Sequence, residues 1–434
     1  MSDLAIGFMG LGAVLITLML RFPVAVSLGG VSLVCISFIV GPTSAINILS
    51  IVPYEFTAHW SLSSIPMFLL MGYIAFHAGM TEGLFKLAQL WLSGVRGGLA
   101  HASIVGAALF SAVTGSSLAC AAAMGRVAVP EMMRYKYDVS LATGVVAAAG
   151  TMGSLIPPSV LFLIYGDLAE VPISKLFIAG LLPGILTAAM YMAVVVYKGS
   201  RNPELVPPTR VAPMRERLGA IKESWPMVVL VLGVFGGMFA GIMTATEAGA
   251  LGAFLSLVIA LVRRSLTFDS FKNAVKDTLT STTSIFAVAI GAALLTRMLA
   301  LTGVPEYLAD MAEFAHDQPY LLVIGVSVIY LILGCFLDPI GILLLTLPIL
   351  LPMFEAANID LIWMGVILVK YVEIGLITPP VGLNVFVIKG VMGKEVELTQ
   401  VFKGVTWFIL ADIITVSLLI AFPQISLYLT RFVA

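Results

Sequence analysis

Apolar, charge-free runs follow one another along almost the whole of this chain, and twice such a run is interrupted by a Pro-Pro pair. The first interruption is Gly150-Thr-Met-Gly-Ser-Leu-Ile-Pro-Pro-Ser159 and the second is Glu373-Ile-Gly-Leu-Ile-Thr-Pro-Pro-Val-Gly382. A proline removes a backbone N–H and its ring collides with the preceding turn, so each pair should split a helix in two. Within a hydrocarbon layer, unwound backbone survives only where it is packed in protein or lines a cavity. Two breaks in corresponding surroundings therefore mark a buried, functional place.

The composition fixes the solvent. Of 434 residues, 60% are hydrophobic and 11% charged, whereas a soluble protein carries about 25% charged residues. The expectation is an all-α, polytopic membrane protein. The apolar runs are long and do not alternate, which excludes an outer-membrane barrel of short strands. A net charge of −1 gives no basic surface for nucleic acid. Cys35, Cys120 and Cys335 are scattered through apolar segments and read as small hydrophobes rather than disulfides or a metal site. The N-terminus has no basic stretch before its first apolar run, so that run reads as a retained span.

Spans are expected near 4–20, 22–40, 60–79, 176–197, 225–242, 246–262, 279–301 and 405–425. The segments 138–168 and 361–389 are the broken helices. Two further apolar stretches, 98–130 and 320–352, are interrupted midway by Thr114-Gly-Ser-Ser117 and Leu337-Asp-Pro339. Each limb is about 15 residues against the roughly 20 that a bilayer core demands, so these read as re-entrant hairpins. The segments 80–97, 265–277 and 303–317 mix charge with apolar residues at helical spacing and read as helices lying along the membrane surface.

Charge orients these elements. Arg96, Arg134 and Lys136 flank the first hairpin, while Glu313, Asp317, Glu355 and Asp360 flank the second. Basic flanks belong to the cytoplasmic side, so the two hairpins enter from opposite faces. The basic loops 198–222 and 263–276 agree, and Asp167, Glu170, Glu247, Glu306 and Asp310 fall on the other side. Lys175 and Arg431 are exceptions. The N-terminus falls on the outer side.

The halves also align at one constant offset, which pairs Pro130 with Pro352, Asp138 with Asp360, Gly153 with Gly375 and Pro157 with Pro379. At that offset Gly115-Ser116 meets Leu337-Asp338. Residues 1–197 and 225–434 thus read as an inverted-topology repeat joined by a cytoplasmic linker, 198–224.

Hairpin tips and helix breaks free backbone groups that helical bonding would consume. Carbonyls and hydroxyls there suit Na+, and helix N-termini suit a carboxylate. The first half offers Thr114, Ser116, Ser117, Thr151, Ser154 and Ser159; the second offers Asp338, Thr378 and Asn384. Single hydroxyl residues in membrane helices are ordinarily packing residues, but here they cluster at paired discontinuities. The arrangement implies two cation sites with a solute between the tips. Asp338 is either a functional carboxylate or the N-cap before Pro339, or both. Arg126 either meets an anionic solute or snorkels to the interface. Lys370 and Glu373, one turn apart, read as a neutralising structural pair. His59, His77, His101 and His316 have no metal-ligand spacing, and no phosphate-binding loop occurs.

The run Phe110-Ser-Ala-Val-Thr-Gly-Ser-Ser117, both Pro-Pro segments (the second read through Asn384) and Thr244-Ala-Thr-Glu-Ala-Gly-Ala250 together resemble the large membrane (DctM-like) subunit of TRAP, or tripartite ATP-independent periplasmic, transporters. The resemblance spans essentially the whole chain. It implies a solute importer of the bacterial inner membrane driven by a Na+ gradient, with no other cofactor. It implies an elevator in which a hairpin-bearing transport core slides against a scaffold. The implied partners are a small four-helix (DctQ-like) membrane subunit and a periplasmic substrate-binding protein, and the implied solute is a small carboxylate. Its cation sites, carried over, are Gly115 and Ser116 with Gly150, Thr151 and Ser154, then Asp338 with Gly375, Thr378 and Asn384. Thr114, Ser117, Arg126 and Ser159 are the solute candidates.

Three alternatives stand beside this reading. A stand-alone Na+/divalent-anion symporter would share the plan but carry Ser-Asn-Thr at the tips. A membrane-embedded hydrolase using Ser116 or Asp338 would need a nearby base, and only His101 lies within a hairpin stretch. A purely structural membrane protein would not need paired breaks.

Overall fold

The structure is a computed structural model that describes residues 2–207, 211–312 and 319–432. Among these the regular structure is helical, with no strand. A chain in lipid must satisfy its backbone groups internally, and helices do so within each segment. Arg210, Glu313, His316 and Asp317 fall outside the described residues.

The first half runs α1 (Asp3–Met19), α2 (Val24–Val40), α3 (Pro42–Thr57), α4 (Ser64–His77), α5 (Glu82–Leu92), α6 (Gly98–Thr114), α7 (Ser117–Arg134), α8 (Val139–Thr151), α9 (Val160–Leu168) and α10 (Ile173–Arg201). After α11 (Met214–Glu223) come α12 (Trp225–Phe239), α13 (Ala245–Val262), α14 (Phe268–Thr302), α15 (Val304–Ala312), α16 (Pro319–Gly334), α17 (Pro339–Ala356), α18 (Leu361–Gly375), α19 (Leu383–Met392), α20 (Leu398–Ala421) and the single turn α21 (Gln424–Leu427). Among the described residues, six helical stretches can cross a membrane by length and composition: 60–77, α10, α13, α14, α17 and α20. The bent pair α11–α12, angled at 52°, would make a seventh.

Element positions recur at the offset that the prolines define. Under it the bounds of α2, α7 and α8 return nearly unchanged as those of α13, α17 and α18. One departure is instructive. Where α3 and α4 are separate, the equivalent stretch is the single 35-residue helix α14. The chain leaves helical form at Ala58–His59, and 60–63 form a 3-10 turn that leads into α4, where an unbroken helix from α3 would be opposed by the missing N–H and the ring of Pro66. Its counterpart is Val288, and α14 meets neither proline nor glycine before Gly291. The 265–277 segment is therefore the start of α14, not a separate surface helix. Residues 41–59, for which the sequence predicts no element, contain α3. Hairpin limbs of 17, 18, 16 and 18 residues are longer than the expected 15, and the two 18-residue limbs, α7 and α17, gain their length by continuing helically through Pro130 and Pro352. The linker is partly helical, with the end of α10 and all of α11.

Helices cross between halves. α7 packs on α19 and α9 on α17; α8 packs on α20 and α10 on α18. Burial forms two contiguous apolar clusters, one around α4, α9, α14, α17 and α18, the other around α6, α7, α8, α10 and α20. The first hairpin tip and both Pro-Pro breaks fall where residues of the two clusters meet, while the second tip packs on the first cluster. The Thr244 motif has a local explanation: Thr244 and Glu247 close a reciprocal capping box that starts α13.

Candidate functional site: a hairpin tip bonded into a helix break

The first tip is built by two residues of opposite habit. Gly115 adopts φ +60° and ends α6, its N–H donating to the Ser111 carbonyl at 3.1 Å. Only glycine takes this left-handed conformation at little cost. Ser116 is extended and caps α7, its hydroxyl accepting the Ala119 N–H at 3.4 Å.

This tip is fastened to the first break. Ser117 donates its hydroxyl to the Thr151 carbonyl at 3.0 Å and touches the Ser154 hydroxyl. Val160 donates its N–H to the Gly115 carbonyl at 3.3 Å. Ser159 donates to the Ser154 carbonyl and caps α9 by accepting the Phe162 N–H at 3.3 Å. Backbones approach so closely that a Cβ on Gly115 would sit 2.3 Å from the Pro158 oxygen. One on Gly153 would sit 2.7 Å from the Ser116 carbonyl carbon, and Gly150 presses on Ala121. Gly115, Ser116, Ser117, Gly150, Thr151, Ser154 and Ser159 are thus one oxygen-rich assembly, buried except for the half-buried Ser116. Thr114 stands apart, its hydroxyl turned back to the Phe110 carbonyl at 3.3 Å.

The second set is looser. Asp338 caps α17, its Oδ2 accepting the Gly341 N–H at 3.0 Å. Gly375 packs directly on Gly334 of α16, where a Cβ would lie 2.6 Å from the Gly334 Cα. Thr378 bonds back to the Ile374 carbonyl at 2.6 Å. Asn384 donates to the Ala147 carbonyl of α8 at 3.1 Å, and its Oδ1 is buried with no hydrogen-bond partner among the described residues. No hydrogen bond joins Asp338 to Thr378 or Asn384 among the described residues. The two breaks also differ in setting: Pro157 and Pro158 are buried, while Pro379 and Pro380 are exposed.

Both tips nevertheless face a common space. A cavity of about 280 Å³ is lined by Ser116, Ser117, Ser154, Thr280, Ser284 and Asp338. Tyr73, also in its wall, bonds Ser281 across 2.8 Å. The hydroxyl run Thr280-Ser-Thr-Thr-Ser284 on α14, absent from the candidates above, supplies Thr280, Ser281 and Ser284 to this wall and is visible in the sequence as a polar cluster inside an apolar helix. A second cavity, of about 110 Å³, is lined by Thr114, Ser116 and Arg126. Arg126 is exposed and makes no ion pair among the described residues. Hydroxyls, carbonyls and one carboxylate form a hard-oxygen surface that suits an alkali cation, with a guanidinium close by for an anion. No group of three His, Cys, Asp or Glu among the described residues could hold a metal ion.

A family model for the DctM component of the tripartite ATP-independent periplasmic transporter matches residues 11–425. The C4-dicarboxylate TRAP transporter large permease protein DctM of Pseudomonas aeruginosa is 35% identical over 357 residues, 82% of this chain and 83% of that one. The sialic acid TRAP transporter large permease protein SiaM of Vibrio cholerae is 30% identical, covering 86% of each. The isethionate TRAP transporter permease protein DctMQ of Oleidesulfovibrio alaskensis is 30% identical over 94% of this chain, which spans 64% of that longer protein. The solved YdaH transporter of Alcanivorax borkumensis matches with TM-score 0.54 at 12% identity, covering 88% of this chain and 90% of that one. At that identity the likeness concerns the fold alone. This integral membrane chain belongs to the DctM family and is the large permease component of a TRAP transporter.

Proposed function

We propose that the chain imports a carboxylate-bearing solute by sodium symport, receiving it from a periplasmic binding protein. The observation that carries this reading is the bonded assembly of the Gly115–Ser117 tip with the 151–160 break. It gathers the Ser116, Ser117 and Ser154 hydroxyls and the Thr151 carbonyl beside the cavity that Asp338 also lines. A dehydrated Na+ needs such hard oxygens, and unwound backbone at a helix break supplies them. The second cation position lies around Asp338, with Gly375, Thr378 and Asn384 to be drawn together as the second break rearranges.

The carboxylate reading is supported by Arg126 beside the first tip and by relatives named for C4-dicarboxylates and sialic acid. The recurrence of elements at one offset, with opposite charge flanks, supports oppositely oriented halves whose hairpins are re-entrant. Basic loops then lie in the cytoplasm and the N-terminus in the periplasm, within a bacterial inner membrane. The helices α6–α9 and α16–α19 are the moving core of an elevator, and α1–α4 with α12–α14 are its fixed scaffold. The small membrane subunit, part of the same longer polypeptide in some systems, completes that scaffold.

The test is uptake into proteoliposomes holding this chain and its small subunit, with the soluble binding protein and its ligand added outside. Uptake should require both an inward Na+ gradient and the binding protein. Equal uptake with K+ replacing Na+, or without the binding protein, contradicts the reading.

A further inference from the structure

Helices from both halves meet at a cluster of polar side chains that lies apart from the cavities described above. Lys370 and Glu373 stand on α18, Asp412 on α20 and Tyr191 on α10, and all four are fully buried. Lys370 Nζ lies 2.7 Å from Asp412 Oδ1 and donates to Glu373 Oε2 at 3.0 Å. Tyr191 donates its hydroxyl to Asp412 Oδ2 at 2.7 Å and offers its ring face to Lys370, 5.8 Å from ammonium to centroid. The same tyrosine oxygen is 3.3 Å from the Thr151 hydroxyl.

The chain of contacts therefore runs Thr151, Tyr191, Asp412, Lys370, Glu373. Its ends, Thr151 and Glu373, are counterparts in the two halves at the offset that pairs Pro157 with Pro379. Each end also touches a break: Thr151 carries the carbonyl that holds the first tip, and Glu373 stands just before Gly375, which packs on Gly334. Stability does not account for such a cluster, since buried ion pairs are often no better than apolar residues of similar shape. What a network of fixed geometry supplies is a constraint between the groups at its ends.

We propose that Tyr191, Asp412 and Lys370 form a buried strut that makes the shape of the first break depend on that of the second. They are positioning residues, since none of them lines the tip cavity. This deepens the sodium-symport reading and rests on it for its consequence: cation binding at one tip then alters the other break.

Hydrogen exchange followed by mass spectrometry on the full chain tests the strut without any solute. Tyr191→Phe removes one oxygen from α10 and should speed exchange about tenfold across 150–160 and also across 374–383, the factor that loss of one hydrogen bond to a charged group implies. Thr151→Val, which also loses the 2.7 Å bond from its hydroxyl to the Ala148 carbonyl, should speed exchange in the same two segments, and the double variant should fall well short of the sum of the two single effects. In a second arm, the Na+ concentration that half-stabilises the protein against heating, measured against choline chloride, should rise about tenfold in Tyr191→Phe. Exchange changes confined to α10 and α20, or additive effects in the double variant, overturn the strut. So does an unchanged Na+ midpoint in Tyr191→Phe when the wild type responds to Na+. A wild type indifferent to Na+ sinks the sodium reading instead, and the exchange arm alone then decides.

Discussion

Ser117 donates its hydroxyl to the carbonyl of Thr151 at 3.0 Å, fastening a hairpin tip to a helix break further along the chain. Its oxygen also meets Ser154, so one small side chain of the tip holds the break at two points. Ser117→Ala should cost about 1 kcal/mol of stability, the worth of an ordinary hydrogen bond. Its larger effect should be on the cation, with the Na+ concentration for half-maximal uptake rising several-fold. Melting curves and Na+ titrations of the same preparation separate the two effects.

Gly115→Ala places a methyl 2.3 Å from the Pro158 oxygen at φ +60°. The left-handed conformation alone costs about 1–2 kcal/mol for an alanine, before the clash is counted. Gly12, in α1, is the internal control, since an added Cβ there would meet no other part of the described residues within 4 Å. Gly12→Ala should be neutral or stabilise by about 0.5–1 kcal/mol, as for any glycine inside a helix. Thermal unfolding in detergent should show a clear loss for Gly115→Ala and none for Gly12→Ala.

Asp338 tests whether capping exhausts a carboxylate's role. Asp338→Asn can keep the bond from the Gly341 N–H, whereas Asp338→Ala loses it at a cost of about 1 kcal/mol. If the carboxylate meets Na+, both variants should weaken Na+ dependence although only the alanine lowers stability. Normal Na+ dependence in Asp338→Asn would leave this residue a cap alone.

Lys370→Ala should be among the most damaging single changes. It leaves Glu373 and Asp412 buried without their ammonium, a loss of about 3–5 kcal/mol by analogy with broken buried pairs. Neutralising the partners as well, as Lys370→Met with Glu373→Gln and Asp412→Asn, should restore most of the melting temperature. The strut then predicts that Na+ affinity does not return with it.

Much of this was legible because prolines and glycines act locally. The Pro157 and Pro379 breaks, the Gly115 turn and the Asp338 cap are each dictated within a few residues. The hydrogen bonds that gather Ser117, Thr151 and Ser154 were not, since composition near a break does not say which hydroxyl turns toward which carbonyl. Asn384 illustrates the limit: it follows the second break in sequence, yet its amide reaches Ala147 of the other half. Charges at 269–277 resemble a surface helix, but nothing there stops α14, so the helix simply continues. Residues 42–57 hid a helix because Pro53 and Glu55 interrupt their apolar pattern. Lys370 and Glu373 were legible as a pair one turn apart, whereas Tyr191, more distant in sequence and added by a crossing helix, was not.

The central claim is that each hairpin tip, with its helix break, holds a sodium ion. Equilibrium binding of radioactive sodium to the purified permease tests it most directly, in the wild type, in Ser154→Ala and in Asp338→Ala. The account predicts saturable binding that each substitution reduces in part and the double variant abolishes. Sodium binding untouched by both substitutions, or none in the wild type, would contradict it.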